Sequence, residues 1–80
     1  MSKDIGKKCI WNFHGPRSSE IAQHFLEHTK EFFSNNHLTF KDSTVLKIND
    51  YHHQACLFID EALQETVQKA LKPHEILNLP

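Results

Sequence analysis

Apolar and polar residues alternate at every second position in three short stretches and recur at helical spacing in two longer ones. From Lys8 to His14, Cys9, Trp11 and Phe13 fall on one side and Ile10, Asn12 and His14 on the other, which predicts a strand. Gly15-Pro16 stops it. Arg17 to about Asn35 carries Ile21, Ala22, Phe25, Leu26, Thr29, Phe32 and Phe33 as one broad apolar stripe, which predicts a helix. Pro16 suits a first helical position, Ser18 or Ser19 can cap, and Glu20 sits near the positive dipole end. Asn35-Asn36 supplies residues that tolerate a left-handed exit.

After a connection at Leu38–Asp42, a second strand runs from Ser43 or Thr44 to Asn49 and a third from His52 to Ile59. A two-residue turn at Asp50-Tyr51 pairs Asn49 with His52, Ile48 with His53 and Leu46 with Ala55. That register gives Leu46 and Ile48 the same face as Ala55, Leu57 and Ile59, and turns Val45, Lys47, Gln54, Cys56 and Phe58 outward. A three-residue loop would set Leu46 and Ile48 with the more polar Gln54, Cys56 and Phe58, so the two-residue turn gives the cleaner core. Asp60 is a good N-cap for a second helix, Glu61–Lys72, with Ala62, Leu63, Val67, Ala70 and Leu71 as its stripe, and Pro73 ends it. The tail, residues 74–80, is expected to add a short fourth strand or a docked extension.

The order strand, helix, strand, strand, helix, strand is that of the split βαβ, ferredoxin-like arrangement. The expected fold class is α+β, a two-layer sandwich with both helices on one face of a mainly antiparallel sheet. Residues 1–7 are expected to be a flexible N-terminus and residues 8–80 a single domain. With 80 residues, the domain is small and marginal alone. Its open sheet face would carry Ile10, Val45, Lys47, Gln54 and Phe58, a semi-apolar surface suited to self-association or another protein.

Composition narrows the function classes. With 39% hydrophobic residues and a net charge of -1, the chain is too apolar for disorder and too neutral for nucleic-acid binding by bulk charge. A single-strand RNA platform on the open face also lacks its basic and aromatic pattern, since Lys47 is the one basic residue expected there. No apolar run is long enough to span a membrane, and no apolar segment follows the basic N-terminus, so the cytoplasm is the expected compartment. Cys9 and Cys56 sit in apolar runs and are expected to be reduced, buried and unreactive.

Two clusters carry candidate chemistry. His14, Arg17, Ser18 and Ser19 surround a strand-to-helix turn, where free N–H groups, a guanidinium and hydroxyls can hold a phosphate or carboxylate. That would suit an anion- or phosphometabolite-binding domain or a small enzyme. His24 and His28, spaced i, i+4, can direct both rings at one metal such as zinc. The order of elements is shared with metal chaperones and acylphosphatases, but the Met-x-Cys-x-x-Cys loop of the first and the glycine-rich, Arg-bearing cradle of the second are absent. The leading expectation is therefore a small cytoplasmic interaction domain, self-associating as a homodimer through the open sheet face or an edge strand, with no catalytic residue and no required cofactor.

Overall fold

The computed structural model describes residues 6–79. Residues 1–5 of the expected flexible N-terminus lie outside the described residues. Gly6 and Lys7 do not belong to a tail, because they begin the first strand, β1 (Gly6–His14). It is followed by α1 (Ser18–Asn35), β2 (Asp42–Asn49) and β3 (His52–Asp60). A 3₁₀ turn over Glu61–Leu63 leads into α2 (Gln64–Leu71), and β4 (Glu75–Asn78) completes the sheet. The sheet is antiparallel throughout, in the order β2-β3-β1-β4. The tail thus forms a fourth strand.

β1 and β3 pair without interruption from Gly6↔Asp60 to His14↔His52. This places Cys9, Trp11 and Phe13 on the same face as Ala55, Leu57 and Ile59. That face meets Ala22, Leu26 and Phe33 of α1 and Val67 of α2 in one buried cluster. Trp11 is the hub: its ring lies 4.8 Å from Phe25, and its Nε1–H donates to the Leu71 carbonyl at 2.9 Å. The bond satisfies both the indole and a last-turn carbonyl of α2 that has no intrahelical partner.

The β2 register departs from the expectation. The tight turn pairs Asn49 with His52 as anticipated, but a β-bulge between Lys47 and Asn49 leaves Ile48 unmatched. Beyond the bulge Val45, not Leu46, stands opposite Ala55, and Leu46 stands opposite Gln54. One extra residue reverses the two faces of a strand with a period of two. Val45 therefore packs against the core. Leu46 is 39% exposed and Ile48 50% exposed. The assignment of Leu46 and Ile48 to the core, and of Val45 to the outer face, is thereby corrected.

The helix stripe differs at its start. Ile21 is 48% exposed, and Ser18 takes the inward position one turn ahead of Ala22. Ser18 is fully buried, and its Oγ is 2.7 Å from Nδ1 of the buried His53. Neither serine caps the helix; Arg17 is the N-cap residue, and its side chain makes no capping bond. The preceding turn depends on Gly15, whose φ of 118° is open only to glycine at low cost. Its N–H donates to the Tyr51 carbonyl at 2.8 Å, tying this turn to the β2–β3 turn. The left-handed exit of α1 falls at His37 (φ 58°), one residue later than anticipated. In the second helix, Asp60 accepts from the Ala62 N–H at 3.1 Å, Val67 is fully buried, and Ala62 and Ala70 face solvent.

Removing the hydroxyl in Ser18→Ala strands the buried His53 ring nitrogen. The expected loss is about 1–3 kcal/mol, against less than about 0.5 for the neighbouring Ser19→Ala. Urea denaturation of the two variants measures the difference, and equal effects would remove this role from Ser18.

Candidate functional site

The face of the sheet away from the helices is built by alternation. β1 contributes Lys8, Ile10, Asn12 and His14, and β3 contributes His52, Gln54, Cys56 and Phe58. Ile10 and Cys56 are buried at its centre. Towards one end, the Lys8 ammonium lies 5.8 Å from the centre of the half-buried Phe58 ring, and Leu77 of β4 stands opposite Lys8. Towards the other end the surface is polar. Asn12 Oδ1 accepts from His52 Nε2–H and from Gln54 Nε2–H, each at 2.9 Å. The backbone N–H of Asn12 donates to His74 Nδ1 at 2.8 Å, and the His14 and His52 rings stack with centres 4.2 Å apart.

Of the expected interface residues, Ile10, Gln54 and Phe58 share this face. Val45 and Lys47 alternate to the other side, and Lys47 pairs with Asp50 at 3.0 Å. Three exposed apolar residues, Leu46, Ile48 and Tyr51, gather along β2 and its turn, and Leu77 is exposed on β4. β2 is an edge strand, so among the described residues its outer backbone groups have no partner strand. The other edge, β4, has only four residues and lies between Pro73 and Pro80 in the sequence.

The four residues of the strand-to-helix turn are dispersed. His14 is stacked on His52 on the open face, while Ser18 is turned inward to His53. Arg17 Nε donates to Glu20 Oε1 at 2.8 Å, and this carboxylate holds the guanidinium above its ordinary pKa. A shallow hollow of about 300 Å³ lies beside them, lined by Arg17, Glu20, Ile21 and His24. His24 and His28 do come together on the outer side of α1, with their Nε2 atoms 2.8 Å apart. Among the described residues, no group of three or more His, Cys, Asp or Glu is placed to hold a metal ion.

One feature of the histidines was open to sequence reasoning and another was not. If Ala55, Leu57 and Ile59 face the core, alternation sends His53 there too, and a buried imidazole needs a partner. The stacking of His14 on His52 follows from the β1–β3 register, which no local pattern specifies.

The thiols are inert by position. Burial pushes the Cys9 thiol up to about 11, and it also raises Cys56, against an opposing effect of Lys8. Cys9 is opposite Leu57 and Cys56 is opposite Ile10, so the thiols lie on different sheet faces and both are free. Comparison with known proteins finds no matching family model, no similar curated protein and no similar solved structure. Among the described residues, no helix is long and apolar enough to cross a membrane.

The imidazole end of the face is expected to make stability depend on pH. Burial first, then electrostatic repulsion from the neighbouring His14 and His53, pushes His52 below its ordinary 6.5. The unfolded chain then binds the proton more tightly, so this contribution is harmless above the unfolded value and destabilises as pH falls through it towards the folded value. The denaturation midpoint should fall between about pH 7.5 and about pH 5.5, and fall less in His52→Gln, which keeps a donor for Asn12. Equal slopes in the two proteins would exclude His52 as a source. A thiol reagent at neutral pH should leave both cysteines unmodified in the folded protein and modify both after denaturation; prompt labelling of the folded chain would contradict their burial.

Proposed function

We propose that this chain is a small binding domain of ferredoxin-like arrangement that associates with a second copy of itself through the β2 edge. The observation that carries this reading is the exposure of Leu46 and Ile48 on an unpaired edge strand. A free edge with apolar side chains is a template for another strand. The eight residues of β2 offer a longer pairing surface than the four of β4. An antiparallel pairing centred on Leu46 sets the two Leu46 side chains side by side on a symmetry axis and each Val45 opposite the partner copy's Lys47. Burial of apolar surface there would add stability to a domain of marginal size. The two free, separated thiols suit the reducing conditions of the cytoplasm.

The middle of the open sheet face is less suited to this role, because Ile10 and Cys56 are already buried there and the polar end is hydrogen-bonded internally; Leu46, opposite Gln54, belongs to that face at its β2 border. Sedimentation at micromolar concentration should show a dimer. The double substitution Leu46→Lys and Ile48→Lys should weaken association at least tenfold, about 1.4 kcal/mol, while Phe58→Lys leaves it unchanged. A wild-type chain that stays monomeric would overturn self-association. Loss of the dimer in Phe58→Lys alone would move the interface to the open face.

A further inference from the structure

We propose that His24 and His28 form a two-imidazole chelate for a divalent transition metal of tetragonal preference, Cu²⁺ or Ni²⁺. This is independent of the dimer reading, because both residues lie on α1 rather than on β2. The i, i+4 spacing sets the two rings side by side on one exposed side of the helix, tilted at 59° with centres 4.5 Å apart. The Nε2 atoms converge to 2.8 Å. Two nitrogens bound cis to one metal at about 2.05 Å are separated by about 2.9 Å at a right angle and about 3.3 Å at a tetrahedral angle. The observed separation is close to the right-angled case, and the rings must rotate to turn the two Nε2 atoms from each other, as in the hydrogen bond, to a common point. It suits tetragonal Cu²⁺ or Ni²⁺ better than tetrahedral zinc, which usually needs more protein ligands than this pair supplies.

A second observation concerns the protons. Glu31 Oε1 lies 3.6 Å from His28 Nδ1. The carboxylate favours the proton on Nδ1 and leaves Nε2 with its lone pair outward, the relation that orients many metal-bound histidines. In the metal-free pair, the His24 Nε2–H then donates to His28 Nε2. Metal entry requires that proton to pass to His24 Nδ1, so a neutral pair binds the ion without net proton release. Both histidines are exposed on α1, so water can fill the remaining coordination positions.

The test is a titration of the untagged chain with Cu²⁺, Ni²⁺ and Zn²⁺, followed by calorimetry, by Cu²⁺ electron paramagnetic resonance and by amide NMR. We expect one Cu²⁺ per chain, a tetragonal spectrum with nitrogen coupling, and Ni²⁺ bound no more weakly than Zn²⁺. Paramagnetic broadening should centre on the middle of α1. His24→Ala and His28→Ala should each weaken Cu²⁺ binding at least tenfold, and His37→Ala, on another exposed segment, should not. Circular dichroism checks that the variants fold. Broadening centred on His14 and His52, or on the N-terminus, would overturn the assignment, as would Cu²⁺ affinity unchanged in folded His24→Ala.

Discussion

The uninterrupted pairing of β1 with β3 is the constraint on which the rest of the molecule depends. Nine residue pairs run in strict alternation, from Gly6↔Asp60 to His14↔His52. Alternation then leaves no freedom: the bulky Trp11 and Phe13 turn to the helices together with Leu57 and Ile59, and Asn12, His52 and Gln54 turn away. The helices follow, because the cluster around Trp11 is the apolar surface that both can cover. Ser18 reaches His53 only because the same register carries His53 to the start of α1. The polar network on the opposite face also hangs on this pairing, since its members come from β1, β3 and the segment before β4.

Most of the element order was legible in the sequence because it rests on local patterning. The strand around Trp11, the long helix to Asn35, the turn at Asp50-Tyr51 and the cap at Asp60 each have a signal within a few residues. The faces of β2 were not legible. Thr44, Leu46 and Ile48 alternate more cleanly than Val45 does, and hydrophobicity alone favours them for the core. The bulge beside the turn overrides that preference, and no glycine or proline in Lys47–Asn49 marks it. The stripe of α1 failed at Ile21 for a related reason: a buried serine with an imidazole partner occupies the inward position, and its partner is distant in sequence.

The candidate sites divide along the same line. The proximity of His24 and His28 is a property of one helix, so spacing revealed it. The turn at His14–Ser19 offered equally suitable residue types, but tertiary contacts draw them apart: one into a ring stack, one into the core and one to a neighbouring carboxylate. Residue types suited to an anion are thus insufficient when the surrounding fold has other uses for them. The exposed apolar edge emerged only once the register of β2 was known.

The bulge at Ile48 also separates the length of the hairpin from its packing. On one side of it, Asn49 and His52 close the tight turn; on the other, Val45 and Ala55 belong to the core pairing. Ile48 is the slack between them, held neither by a cross-strand partner nor by the interior. Losing or gaining one residue in this stretch can therefore be absorbed by abolishing or enlarging the irregularity while Val45 stays in place. In most half-buried strands a single-residue length change is ruinous, but here it becomes a tolerated route by which the exposed edge can be reshaped over evolutionary time.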